Sequence, residues 1–303
     1  MSQARAARRR KNKIKQWGPG LLLISPSLIL VAIFVYGMIG ANFKTSLYNT
    51  HRAAQVSGRR PSKYVGFENF SKLFEDPNFQ HSFINLILFT VAFLVGTLVL
   101  GFLWAWLLDK PIKGEGILRS MAVSFVASGV VWRWLLNSKT GSEASGLNRL
   151  FEMCGLTFLE NSWASNVHFG ILAIAIPAIW QLAGYVMALF LAGFRGISDD
   201  LREAARVDGA NEWQLYKNII FPQLTPIALS AVIIIGHMSL KSFDLIMSIT
   251  DQRTYSTKVP AIDMYNFMTD NDYSNAAAVG VILLALVAIA VIPYLIHDTK
   301  TRK

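Results

Sequence analysis

The chain of 303 residues contains a single cysteine, Cys154, and few charged residues. One cysteine excludes an internal disulfide and predicts a free thiol. Charged residues make up 16% of the sequence, whereas soluble domains carry about 25%. Hydrophobic residues make up 53%. This composition excludes an ordinary water-soluble domain and indicates a protein that lies largely within a membrane.

Motifs of catalytic and nucleotide-binding sites are also missing. No glycine-rich phosphate loop followed by Lys and Ser or Thr is present, so the chain cannot bind ATP in that way. The histidines are scattered without metal-ligand spacing, and Gly-x-Ser-x-Gly is absent. We therefore expect no catalytic residue, no cofactor and no metal, and we predict that the chain is not an enzyme.

The formal net charge of +10 raises the question of a nucleic-acid partner. The basic residues cluster beside the apolar segments, however, and form no basic groove interleaved with aromatic residues. We expect no nucleic acid as a partner.

Long apolar runs dominate what is present. Six segments hold about 20 mostly apolar residues, which is the length that crosses a hydrocarbon core of about 30 Å. They are approximately residues 18–41, 83–108, 117–137, 169–194, 223–249 and 275–297. Arg133 interrupts the third near one end. The sequence predicts an all-α polytopic protein of the cell (cytoplasmic) membrane, with six transmembrane helices in the lipid bilayer.

The charges beside these runs predict the orientation. Basic residues fill segment 1–17, and such flanks stay in the cytoplasm. The run that follows is longer than the apolar part of a signal peptide, about 7–15 residues, so we expect a retained helix. Six spans place both termini in the cytoplasm. The expected order is a basic segment 1–17, a first helix 18–41, an extracytoplasmic loop 42–82, a transmembrane core 83–297 and a cytoplasmic tail 298–303.

A polar stretch, residues 198–222, separates the fourth and fifth runs on the predicted cytoplasmic side. Asp200 with Glu203 and Asn211 with Gln214 have the spacing of capping boxes, which predicts two helices in tandem. Gly209 lies between them, where a left-handed turn is expected.

The faces of these two short helices suggest a docking surface. Leu201, Ala204, Ala205 and Asp208 are expected on one flat face, with Arg202, Glu203 and Arg206 pointing elsewhere. On the second helix the bulky anchors are Trp213, Tyr216 and Ile220, and Pro222 is expected to start the next transmembrane run. From the residues alone, a solvated loop packed under its own bundle is an equal alternative.

The order Glu203-Ala204-Ala205, Gly209, Ile219 and Pro222 resembles the "EAA" loop of binding-protein-dependent ABC importer permeases. Residues 208–210 (Asp-Gly-Ala), 64–70 (Tyr-Val-Gly-Phe-Glu-Asn-Phe) and 243–245 (Phe-Asp-Leu) are similar to the carbohydrate, maltose-transporter-type branch. Two features depart from that pattern. Residues 251–255 replace its usual Gly-Gly-Pro turn, and Phe221 stands where leucine is usual.

The resemblance implies a type I ABC importer permease fold and a set of partners. These are a second homologous permease subunit, two ATPase subunits that hydrolyse ATP, an extracytoplasmic solute-binding protein and a carbohydrate substrate. It also implies that residues of the 198–222 loop couple the chain to the ATPase: Glu203, Ala204, Ala205, Asp208, Gly209, Trp213, Ile219 and Pro222. Alternating access would then move a sugar or related carbohydrate into the cell.

Polar side chains inside the apolar runs offer a substrate path, since each is costly in lipid and favours a cavity or a partner. The candidates are Arg133, Gln181, His237, Ser242 and Asp244. Two alternatives stay open: Lys241 and Asp244 could neutralise each other at i, i+3, and Gln181 could serve packing. Other functions also stay open: an ion-coupled secondary transporter, an ABC permease for a non-sugar solute, or a membrane-embedded enzyme.

Overall fold

The computed structural model describes residues 20, 23–109 and 125–301. Helices make up most of this part. They are α1 Leu23–Ser46, α2 Ala53–Val56, α3 Glu68–Glu75, α4 Pro77–Asp109, α5 Phe125–Leu135, α6 Gly146–Met153, α7 Gly170–Arg195, α8 Asp199–Val207, α9 Glu212–Leu240, α10 Phe243–Ile249, α11 Pro260–Thr269 and α12 Tyr273–Thr301. Two short strands, β1 Tyr48–Asn49 and β2 Lys63–Tyr64, pair antiparallel.

Five of the described helices are long and apolar enough to cross a membrane: α1, α4, α7, α9 and α12. The remaining predicted span, residues 117–137, lies partly outside the described residues. Its described end is α5, with Arg133 in the last turn. The all-α membrane fold is confirmed.

The start of α4 lies several residues before the predicted boundary at residue 83. Pro77 is the first helical residue, where its missing N–H costs nothing. The carboxylate of Asp76 accepts the backbone N–H of Asn78 at 2.9 Å. A local cap therefore begins the helix outside the apolar run.

The fifth predicted run, residues 223–249, is broken rather than continuous. Helix α9 ends at Leu240, and α10 starts at Phe243. Because Lys241 and Asp244 lie on either side of this break, the i, i+3 geometry of a single helix is lost. Both side chains are exposed and, within the described residues, they form no ion pair with each other. The expectation of a self-neutralising pair is wrong.

The core forms where α4 packs along α7. Phe89 and Phe93 of α4 are fully buried, as are Ile174 and Met187 of α7. A Cβ atom added to Gly101 would lie 2.7 Å from the Cβ of Val186 and 3.0 Å from the carbonyl oxygen of Ala183. The two backbones therefore approach more closely than any residue larger than glycine permits.

Helix α1 lies at the periphery and is held mainly to α12. Asn42 donates its side-chain amide to the carbonyl oxygen of Ala277 at 3.2 Å. Gly280 makes room for that amide, since a Cβ there would lie 3.0 Å from its nitrogen. Most other side chains of α1 are exposed, as expected for a helix that faces lipid or another membrane subunit.

A small layer built from β1, β2, α3 and α11 lies at one end of the bundle. Asn69 donates to the carbonyl oxygens of Ser46 at 2.8 Å and Tyr48 at 3.1 Å, which fixes α3 on the hairpin. Asp263 of α11 is buried, accepts from Ser82 and lies 2.6 Å from the ammonium of Lys258. Burial raises the pKa of Asp263, although the hydrogen bonds from Lys258 and Ser82 oppose that rise.

We predict that Gly101→Ala destabilises the protein by about 1–3 kcal/mol, because the added methyl group overpacks the contact between α4 and α7. Gly40→Ala is the matched control, since its Cβ would meet no atom within 4 Å. The measurement is the midpoint of thermal unfolding in detergent. Equal midpoints for the two variants would contradict the close packing.

Candidate coupling site

The first helix of the polar loop is α8, and its start differs from the prediction. Ser198 is the N-cap, with no side-chain cap, so Asp200 lies inside the first turn. The capping box predicted for Asp200 and Glu203 is wrong, because Asp200 is already helical. Asp199 and Asp200 instead place negative charge at the helix N-terminus, where the macrodipole favours it.

Gly209 terminates α8 as predicted. Its φ is +81°, in the left-handed region. The N–H of Gly209 donates to the carbonyl oxygen of Arg206 at 3.1 Å, and that of Ala210 donates to Ala205 at 2.9 Å. This pair of bonds is the hydrogen-bonding pattern of a glycine C-cap, and it fixes the turn between the two helices.

The second capping box is confirmed. The side chain of Asn211 accepts the N–H of Gln214 at 2.9 Å, and the side chain of Gln214 accepts the N–H of Asn211 at 3.0 Å. The helix that begins here runs on through a π-helical segment, Tyr216–Ile220, into the transmembrane part of α9. Pro222 therefore does not start a new run. The π segment lies just before it, where proline removes an α-helical hydrogen bond.

One face of this loop points away from the bundle. Val207 is 87% exposed, Trp213 is 68% exposed and Leu201 is 39% exposed. Glu203, Ala204, Asp208 and Gly209 are exposed as well. These residues form what we call the outward face. The chain thus presents apolar and acidic side chains together at the end of its bundle.

The opposite side of the loop packs on the bundle. Ala205 and Ile220 are buried and Ile219 is half-buried. The predicted flat face of Leu201, Ala204, Ala205 and Asp208 is therefore divided. Ala205 turns inward because α8 lies along the ends of the transmembrane helices.

Arg202 was predicted to point away from the face that contains Ala205, but it turns into the bundle on the same side as Ala205. Its Nη1 donates to Oδ2 of Asp109 at 3.0 Å, and its Nη2 donates to the carbonyl oxygen of Phe194 at 2.8 Å. Arg202 and Ala205 lie three residues apart and therefore share the inward side. Helical spacing from a buried Ala205 was the signal that could have identified it.

Aromatic side chains underlie the loop. Phe102 of α4 lies 5.4 Å from Phe190, 5.7 Å from Phe194 and 5.5 Å from Phe221 between ring centroids. Tyr216 lies 6.3 Å from both Phe194 and Phe221. This cluster joins α4, α7 and α9 at the level of the loop.

A small apolar cavity opens beside this cluster. Its volume is about 290 Å³, and Trp106, Glu212 and Trp213 are among the residues that line it. Across the turn, Arg206 Nη2 lies 3.0 Å from Glu212 Oε1, and both side chains are more than half exposed. A pair this exposed contributes at most about 1 kcal/mol to stability.

The substrate-path candidates are distributed over several helices. Arg133 on α5 and Asp244 on α10 are exposed, whereas Gln181 on α7 is 4% exposed. Ser242 donates its hydroxyl to the carbonyl oxygen of Met238 at 3.1 Å. Nδ1 of His237 is buried and, within the described residues, has no hydrogen-bond partner.

A polar cavity of about 490 Å³ lies beside α11 and the start of α4. Tyr255, Lys258, Asp263 and Phe267 are among its lining residues. Tyr255 stacks on His81 with a centroid separation of 4.1 Å. Tyr255 and Phe267 therefore border the same cavity.

The helical bundle and the polar loop together define a polytopic membrane permease. Residues 82–303 match the family described as binding-protein-dependent transport system inner membrane component. The chain belongs to this family, so it is a permease of the ABC importer type, as the motif predicted.

A probable ABC transporter permease of Pyrococcus horikoshii is 36% identical over 92% of this chain and 95% of its own length. A trehalose/maltose transport system permease of Thermococcus litoralis is 28% identical over 94% of this chain and 95% of its own length. A crystal structure of a bacterial ABC transporter involved in alginate import superposes with a TM-score of 0.74 at 22% identity. It covers 97% of this chain and 98% of the other. That likeness supports the fold alone.

Proposed function

We propose that this chain is one of two membrane subunits of an ABC importer that moves a sugar or related carbohydrate into the cell. The outward face of α8 and the start of α9 receives an ATPase subunit. A second, homologous permease, two ATPase subunits and an extracytoplasmic binding protein complete the transporter. The chain transmits the movement, and ATP hydrolysis takes place in the ATPase subunits.

The geometry of the outward face carries this proposal. A capped turn with a left-handed Gly209 presents Leu201, Val207 and Trp213 to the outside, although each would be more stable if covered. Exposed aromatic and aliphatic side chains with a polar rim match the composition of a protein interface. The second short helix is the start of α9 itself, so this end of the loop is continuous with a transmembrane helix.

The carbohydrate class is supported by the similar trehalose/maltose permease and by the motifs at residues 64–70, 208–210 and 243–245. The path we propose follows the exposed polar side chains around the break between α9 and α10. Charged side chains are costly against lipid, so exposed Arg133, Lys241 and Asp244 favour a position facing the partner permease or an aqueous path.

We predict that Glu203→Lys and Gly209→Pro each prevent the ATPase subunit from co-purifying, while the permease stays in the membrane. Lysine reverses a charge on the outward face, and proline cannot adopt a φ of +81°. Glu143→Lys, an equal charge change at an exposed position of another segment, is the control. Wild-type ATPase recovery with Gly209→Pro would contradict the docking role.

We predict that cysteines at Ser2 and Thr301 are protected from impermeant thiol reagents in intact cells, whereas one at Ser142 is labelled. The basic head and six spans require this arrangement. Cys154→Ser supplies the background, because the native thiol is exposed. Labelling at one terminus alone would show an odd number of spans.

We predict that Asp244→Asn lowers uptake or changes the order of preference within a panel of radiolabelled maltose, trehalose, xylose and arabinose. A lost hydrogen bond to a buried ligand corresponds to about a 5- to 150-fold effect. Ser242→Ala tests the neighbouring hydroxyl, and Glu143→Gln is the control carboxylate. ATPase recovery stays normal in all three. Unchanged uptake of the whole panel by Asp244→Asn and Ser242→Ala would remove both residues from the path.

A further inference from the structure

We propose that Arg202 and Asp109 form a mechanical link that transmits movement of α8 to the cytoplasmic ends of α4 and α7. This inference rests on the proposed function, because it requires the outward face of α8 to receive the ATPase. Arg202 is then a positioning residue, distinct from the residues that touch the ATPase.

One side chain joins three helices at this point. Arg202 belongs to α8, Asp109 is the last residue of α4, and Phe194 lies in the last turn of α7. The guanidinium contacts Asp109 at 3.0 Å and the carbonyl oxygen of Phe194 at 2.8 Å, through separate nitrogens. A planar fork with several fixed donors holds two acceptors at once, which the single ammonium of lysine does less well.

Apolar packing alone does not explain how α8 is held. Ala205 is the only residue of α8 that is buried, and a single methyl group contributes little hydrophobic free energy. The side chains of Arg202 and Asp109 are 17% and 10% exposed, so water competes weakly for their charges. The ion pair therefore holds α8 to the bundle through charge rather than through apolar packing.

A second ion pair in the same loop differs from the pair of Arg202 and Asp109. The pair Arg206 and Glu212 has similar geometry, but its side chains are 55% and 65% exposed. Solvent and salt weaken such a pair, and it connects the two short helices only to each other. Arg202 instead reaches α4 and α7, which pack closely against each other at Gly101.

We expect an Arg202→Gln variant that binds the ATPase subunit but responds little to its nucleotide state. In Arg202→Gln the outward face is unchanged, so the ATPase subunit still co-purifies and hydrolyses ATP. Without this link α8 stays joined to α7 through residues 196–198, but its movement reaches the end of α4 only weakly. The conformational equilibrium of the transmembrane part then responds much less to the nucleotide state.

The test follows a cysteine placed at Lys241, beside the break in the fifth run, in a Cys154→Ser background. The full complex in membrane vesicles is treated with an impermeant maleimide, with and without ATP and vanadate. We expect the nucleotide to change the labelling rate about tenfold in the parent and less than about twofold with Arg202→Gln. In that variant the nucleotide barely shifts the equilibrium between the two conformations. Arg202→Lys keeps the pairing with Asp109 and is expected to give an intermediate response.

Two further variants separate a link from simple charge neutralisation. Arg149→Gln removes one partner of an exposed ion pair in another segment and is expected to respond like the parent. The double variant Arg202→Met with Asp109→Leu leaves no buried charge unpaired, so it provides a readout even where a single variant fails to accumulate. We expect it to accumulate normally and to remain unresponsive to nucleotide.

The outcomes distinguish the Arg202 link from the docking surface. A parental response in Arg202→Gln or in the apolar double variant would overturn the link, while docking on the outward face would stand. Loss of the ATPase from Arg202→Gln, with Glu203→Lys still retaining it, would overturn both, because the docking surface would lie elsewhere. A parent that shows no nucleotide response would overturn the proposed function itself.

Discussion

The absence of water in the hydrocarbon core governs this structure, because each backbone polar group there needs a partner within the protein. Long helices satisfy that requirement, and the described strands and short helices lie at the ends of the bundle. The break at Lys241 and Ser242 is the notable departure. The N–H groups of Lys241, Ser242 and Phe243 keep backbone partners there. The exposed charges of Lys241 and Asp244 beside the break favour a face covered by a partner subunit or a path.

The polar loop of α8 and the start of α9 combines two surfaces with different physical roles. Its outward face leaves Val207 and Trp213 uncovered, which suits an interface that another protein completes. Its inward side places Arg202 against Asp109 and Ala205 against the bundle. The left-handed Gly209 and the Asn211 capping box hold the two helices in this arrangement. A docking surface can transmit movement only when its reverse side is firmly attached.

Local features of the sequence predicted much of the site. The long apolar runs indicated the membrane helices, the Gly209 turn and the Asn211 capping box were placed correctly, and the ordered motif indicated the permease family. The wrong predictions concern the residues at which helices begin and end. Asp200 was predicted as a cap although Ser198 is the N-cap, and residues 223–249 were predicted as one run although a break separates Lys241 from Asp244. Both errors assumed helix boundaries that depend on how adjacent helices pack.

The sequence by itself determined the class of protein, because apolar length, flanking charge and turn-forming residues act over a few neighbours along the chain. Only the tertiary structure decided which side of α8 faces the bundle. Asp109 lies 93 residues before Arg202 in the sequence, and their contact depends on where α4 ends in space. The long-range packing of helices sets that meeting point, and no periodicity within one segment contains it.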